Sequence, residues 1–123
     1  KLLAHVGKEG FLPEQTFMVG FSMGAGLSIL AGSRLSFALG GIVPIAGFVK
    51  NSEQFKSGMT QQSLDTPFLI MQGSRDEIVS PDMAEKTVQL LTDLGYSVRY
   101  QSYDAGHKVP KVAMPVIKEF IEG

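Results

Sequence analysis

Short apolar runs along this chain alternate with segments in which apolar residues recur every three or four positions. The runs are typical of strands and the spaced residues of helices. Strands are predicted at residues 16–19, 41–46, 68–71 and 98–103. Helices are predicted at residues 2–6, 24–35 and 81–94, with a last one that runs to residue 122. This order predicts a parallel sheet with helices on both faces.

Signals within single elements refine this prediction. Residues 68–71 show no alternation, so this strand should be covered on both faces, whereas residues 98–103 alternate as expected nearer a sheet edge. Ser80 is a typical cap for the helix at 81–94, and residues 47–66 lack periodicity and are predicted to form a loop. The last helix is expected to turn its apolar residues inward: Val116, Ile117, Phe120 and Ile121.

Composition excludes several classes of function. The formal charge of -1 gives no electrostatic reason to expect a nucleic-acid partner, and the lack of cysteine excludes disulfides, thiolate metal sites and a cysteine nucleophile. The most apolar stretch, residues 39–49, is too short and too rich in glycine to be a transmembrane segment. We find no metal-ligand spacing and no phosphate-binding or dinucleotide loop, so no metal or cofactor is expected. A cytoplasmic location is favoured, although the sequence does not identify the compartment.

The segment Gly20-Phe21-Ser22-Met23-Gly24 matches the G-x-S-x-G pattern. It lies between a predicted strand and a helix of small residues, where a tight turn would expose the serine hydroxyl and place small residues on either side of it. The backbone N–H of Met23 would then be an oxyanion donor at a helix N-terminus. The plainer alternative is a glycine-rich turn whose serine merely caps the helix.

A serine nucleophile needs a histidine base, and the base needs an orienting carboxylate. His107 follows the strand at 98–103 and Asp76 follows the strand at 68–71, so both should lie at the same sheet edge as Ser22. The chain order serine, acid, histidine is that of α/β-hydrolases. His5 precedes the serine and is interpreted as an ordinary helix residue. Glu77 and Asp104 remain weaker candidates for the acid.

Taken together, these segments match the pattern of a known protein family. Gly20-Phe21-Ser22-Met23-Gly24-Ala25, the strand that leads to Gly73-x-x-Asp76-x-x-Val79, and Gly106-His107 resemble the acyl-protein thioesterase and carboxylesterase (phospholipase/carboxylesterase) family. The resemblance implies an α/β-hydrolase-like three-layer sandwich, of which this chain would form the C-terminal half of the parallel sheet, about four strands. It also implies Ser22 as nucleophile, Asp76 as acid, His107 as base, and no cofactor.

The chain departs from the family pattern at some positions. Met23 replaces a common glutamine, and Gln72 replaces a common histidine. The family's first strands and second oxyanion loop would lie upstream of Lys1, so residues 1–123 are expected to be one domain without its N-terminal strands. Either the chain is a fragment, or a partner completes the sheet by dimerisation or strand addition.

The sequence therefore predicts a serine hydrolase that cleaves a small-molecule carboxylic ester or thioester through an acyl-enzyme. Phe48, Phe55 and Met59 are predicted to form part of an acyl-binding wall, with ordinary core contacts as the competing interpretation. The alternative function is a non-catalytic or partner-dependent fragment that keeps the triad without a complete oxyanion hole. A peptidase of the same fold is a third interpretation, since triad chemistry does not by itself distinguish amides from esters.

Overall fold

Four parallel strands form the centre of the described part of the chain, which in this computed structural model is residues 12–123. The strands are β1 (Phe17–Phe21), β2 (Gly41–Ile45), β3 (Phe68–Gly73) and β4 (Val98–Tyr103), and they lie side by side in that order. The helices are α1 (Met23–Ser33), α2 (Ser52–Gly58), α3 (Pro81–Asp93) and α4 (Ala113–Glu122). The helix predicted at residues 2–6 and His5 lie outside the described residues.

The two inner strands are buried along their whole length, and their side chains divide between two cores. Ile42, Phe68 and Ile70 belong to one core. Val43, Leu69 and Met71 belong to the other. Alternate residues of a strand point to opposite faces of its sheet, so an unbroken apolar run indicates that both faces are covered.

Helices cover each face and complete a three-layer α/β sandwich, as the sequence predicted. Ile29 of α1, Phe55 of α2 and Leu91 of α3 pack in the first core. Ala113 and Ile117 of α4 pack in the second. The active-site candidates lie in the turns that follow β1, β3 and β4, all at the carboxyl edge of the sheet.

Two local predictions were wrong. Residues 47–66 are not all loop, because they contain α2 and a 3₁₀ turn at Gln62–Asp65. The Asn51 side chain caps α2 by accepting a 2.9 Å bond from the N–H of Gln54, and Phe55 is its one buried residue, so the helix has no apolar periodicity to detect. Ile121 is exposed rather than inward-facing: it lies in the last turn of α4, where residues 121–123 are all exposed and the packed positions end with the half-buried Phe120.

The two edges of the described sheet differ in character. At one edge lies β4, as its sequence predicted, but its burial does not alternate along the whole strand, because Tyr103 packs in the second core and Gln101 is half-buried. At the other edge, β1 pairs with β2 alone among the described residues, and Val19 and Phe21 are exposed there. An apolar strand with unpaired backbone groups is a surface on which another strand can add.

Candidate active site

Ser22 lies in a strained turn between β1 and α1. Its backbone has φ 58° and ψ -117°, in a region that residues other than glycine rarely occupy. The turn is fixed by the N–H of Ser22, which donates a 2.8 Å hydrogen bond to the carbonyl of Ile45 in β2. Such strain persists only where surrounding contacts enforce it, and it is often found at functional sites.

The two glycines of the motif have different roles. At Gly20 a Cβ would collide with the carbonyl of Gly24 and lie 2.5 Å from the hydroxyl of Ser28. At Gly24 a Cβ would meet nothing within 4 Å outside the backbone of its own helix. The motif predicts small residues on both sides of the serine, but of these two positions close packing requires a glycine only at Gly20.

The Ser22 side chain points to His107 and not to its own helix. Its Oγ is 2.8 Å from Nε2 of His107 and makes no capping hydrogen bond to α1. The plainer alternative, a serine that caps the helix, therefore does not describe this turn. The ring of Phe21 packs against the imidazole with 4.9 Å between centroids.

Asp76 holds the other side of the imidazole. Its Oδ2 is 2.7 Å from Nδ1 of His107, and its Oδ1 accepts 2.8 Å bonds from the N–H groups of Ile78 and Val79. Burial by itself raises the pKa of the Asp76 carboxyl. The hydrogen bonds from His107, Val79 and Ile78 outweigh burial, so this pKa lies below its ordinary value.

The remaining acid candidates occupy different surroundings. Glu77 is exposed beside Asp76, and Asp104 is exposed and bonded to Arg75. Asp76 is thus the carboxylate that the structure brings to His107. No group of three or more histidine or acidic side chains within residues 12–123 is arranged to hold a metal ion.

Two supporting residues were not found by sequence reasoning. The buried amide of Gln72 donates a 2.7 Å bond to the carbonyl of Val79, whose N–H is bound by Asp76. Tyr103 donates a 2.7 Å bond to the carbonyl of Lys108, next to His107. The sequence signal for Gln72 was its position in the family pattern, and for Tyr103 its place at the end of a strand, but neither indicated a partner.

A largely apolar cavity of about 350 Å³ opens beside Ser22, between α1 and α2. Phe48, Phe55 and Val79 line it, together with Leu27 and Leu30 of α1. Phe55 is also a core residue, so both interpretations of that side chain apply. Met59 lies outside the lining and packs against the first core, a position that favours the core interpretation.

Comparison with known sequences identifies the family. The sequence model of the Phospholipase/Carboxylesterase family matches residues 1–123. The chain belongs to the phospholipase/carboxylesterase family. Acyl-protein thioesterase 1 of Gibberella zeae is 30% identical over 115 residues, which cover 91% of this chain and 49% of that protein. Carboxylesterase SOBER1 of Arabidopsis thaliana is 24% identical, with 93% of this chain and 50% of that protein covered.

Solved structures agree on the fold. The crystal structure of Arabidopsis thaliana SOBER1 matches with a TM-score of 0.93 at 23% identity, over 98% of this chain and 58% of that one. The crystal structure of esterase PE8 matches with a TM-score of 0.87 at 25% identity, over 98% and 55%. The 123-residue chain itself spans about half the length of the curated relatives it matches. Within the described residues, no helix is both long and apolar enough to cross a membrane.

The two motif glycines give a matched pair of variants. Gly20→Ala should lower the free energy of unfolding by about 1–3 kcal/mol, because the added Cβ is forced into the backbone of Gly24. Gly24→Ala should be neutral or stabilising by up to about 1 kcal/mol, because alanine is the better helix former. Urea unfolding of both variants measures this. Equal losses at the two positions would contradict the steric account.

The lowered pKa of Asp76 predicts how stability depends on pH. Ionised Asp76 stabilises the folded chain above about pH 4, the ordinary aspartate value, and this contribution is lost as the pH falls through the lowered pKa. Urea unfolding of the wild type and Asp76→Asn should therefore show a stability difference that shrinks from about pH 6 to about pH 2.5. A difference that stays constant over this range would count against an Asp76 held ionised by its hydrogen bonds.

Proposed function

We propose that this protein hydrolyses carboxylic esters or thioesters with Ser22 as nucleophile, His107 as base and Asp76 as the orienting acid. The observation that carries the proposal is one unbroken line of hydrogen bonds: Ser22 Oγ to His107 Nε2 at 2.8 Å, and His107 Nδ1 to Asp76 Oδ2 at 2.7 Å. The family supports the same chemistry, since its curated relatives are named acyl-protein thioesterases and carboxylesterases.

The two hydrogen bonds of the imidazole support a distinct role for each of its nitrogens. Oδ2 of Asp76 can only accept while ionised, so Nδ1 carries the proton and Nε2 is free to accept one. Nε2 takes the Ser22 proton as Oγ bonds to the acyl carbon, and returns it to the departing alcohol or thiol as the old C–O or C–S bond breaks. A water then gives a proton to Nε2 while its oxygen bonds to the acyl carbon. The bond from that carbon to Ser22 Oγ breaks, Nε2 returns the proton to Oγ, and the carboxylic acid leaves.

Met23 is the proposed oxyanion donor. It is the first residue of α1, where a backbone N–H has no acceptor within the helix and the helix dipole favours negative charge. The residue is 80% exposed, and because the donor is a backbone N–H, methionine in place of the glutamine common in the family leaves it unchanged. One donor is typically worth about 10²–10³ in rate, and we expect the second from sequence outside the described residues.

The cavity beside Ser22 is the proposed site for the acyl chain. Phe48 and Phe55 lie in its wall with the apolar side chains of α1, and its volume of about 350 Å³ lies at the lower end of the usual range for small-molecule pockets. Met59 is not included in this part of the proposal. An apolar cavity beside the nucleophile favours an acyl group over a polar substituent at this position.

A second candidate is a fragment that becomes active only with a partner or with the rest of its domain. The observations that favour it are the unpaired apolar edge of β1 among the described residues and the half-length match to curated relatives. In this case the triad is present but its oxyanion hole is incomplete. A homodimer or another chain that adds a strand to β1 would then be needed.

Turnover of a short-chain p-nitrophenyl ester separates these candidates. Ser22→Ala should abolish turnover without loss of fold, because the variant lacks the hydroxyl that would form the acyl-enzyme. Ser102→Ala, which removes an exposed serine of β4, is the matched control and should retain wild-type turnover. Equal turnover by the wild type and Ser22→Ala would refute the assignment. Absence of turnover in folded wild type would favour the partner-dependent fragment.

A further inference from the structure

The acid loop (residues 74–79) and the base loop (residues 104–108) stay in contact after β3 and β4 end. The N–H of Ser74 donates a 2.8 Å bond to the carbonyl of Tyr103, and the N–H of Arg75 donates a 3.0 Å bond to the carbonyl of Ala105. A Cβ at Gly73 would lie only 2.5 Å from the carbonyl oxygens of Ala105 and Gly106. The β3–β4 ladder therefore continues into the two loops that carry Asp76 and His107.

A side-chain bridge also joins these loops. Nε of Arg75 donates a 2.7 Å bond to Oδ1 of Asp104, and Nη2 donates a longer 3.4 Å bond to the carbonyl oxygen of Asp104. Arg75 directly precedes Asp76, and Asp104 precedes His107 by three residues. The guanidinium thus holds both the side chain and the backbone of the base loop, which gives it more geometric control than a single point contact.

We propose that Arg75 and Asp104 are positioning residues that clamp the base loop to the acid loop and so keep His107 in its bond to Asp76. This inference rests on the proposed function, because it assigns a role in the alignment of the same triad. Neither side chain takes part in the hydrogen bonds that join Ser22, His107 and Asp76. Arg75 and Asp104 act through the adjacent backbone that carries Asp76 and His107.

The exposure of the pair sets the size of the effect. The two side chains are 68% and 85% exposed, and exposed ion pairs couple weakly and are screened by salt. Removing either partner should therefore increase opening of the Asp76–His107 bond by about two- to fivefold rather than abolish it. The fold should survive, because neither side chain is part of a core.

The chain offers a matched control. Arg99 and Glu119 form another exposed ion pair, with 3.1 Å between their charged atoms, which connects β4 to α4. Arg99→Met removes the same kind of side chain from the same kind of surface pair, but at a position with no link to either loop. General effects of losing an exposed arginine should therefore appear in Arg99→Met as well as in Arg75→Met.

Nitrogen-15 NMR of the imidazole tests the clamp without requiring turnover. In a His5→Gln background, His107 is the one remaining histidine, and the exchange of its Nδ1 proton with water reports opening of the bond to Asp76. Arg75→Met and Asp104→Ala should each speed this exchange about two- to fivefold, and the double variant no more than either single variant. About 1 M salt should raise the wild-type rate towards that of the variants, and Arg99→Met should match the wild type.

Two results would overturn the proposal. One is an exchange rate in Arg75→Met equal to that in Arg99→Met. The other is a wild-type Nδ1 proton with no protection at all. Ester turnover of the same variants separates this proposal from the proposed function: accelerated exchange in Arg75→Met with an inactive wild type would support the clamp while refuting activity of this chain alone.

Discussion

The parallel pairing of β1 to β4 is the constraint on which the site depends, because it brings every strand's carboxyl end to one edge. Ser22 follows β1 and Asp76 follows β3, with β2 between them. Two strand spacings of about 4.8 Å separate β1 from β3, too far for a direct bond from serine to carboxylate. His107, from the loop after β4, fills that gap and bonds to both.

Local contacts then stabilise two members of the triad in states that would be unfavourable on their own. The strained backbone of Ser22 is held by the bond to Ile45 and by the close approach that only a glycine at position 20 allows. Asp76 is only 5% exposed, and an isolated buried carboxylate would tend to become protonated. The bonds from Ile78, Val79 and His107 keep its pKa low instead. The site therefore combines backbone strain with a buried charge, each compensated by nearby groups.

Much of the fold was predictable from sequence because its signals are local. The apolar run at residues 68–71 indicated a strand covered on both faces, and Ser80 correctly indicated the start of α3. The chain order of Ser22, Asp76 and His107 also indicated which residues would meet. Family membership and the α/β sandwich are confirmed, whereas the catalytic roles stay a prediction.

The parts that could not be predicted depend on contacts between distant residues. α2 has a single buried side chain and hence no periodic pattern. The G-x-S-x-G motif contains two glycines and does not indicate that the space around Gly24 is open. Arg75 and Asp104 are 29 positions apart, and nothing in either segment indicates that they pair. The cavity likewise assembles from α1 and the segment after β2, so sequence could suggest Phe48 and Phe55 but also suggested Met59.

The central claim is that Ser22 is activated by the hydrogen-bonded pair of His107 and Asp76. The most direct test is reaction with a fluorophosphonate followed by peptide mass spectrometry. We expect one phosphonyl group per chain, on the peptide that contains Ser22, and its loss in His107→Gln. A label on a different residue, or equal labelling of Ser22 in His107→Gln, would contradict it.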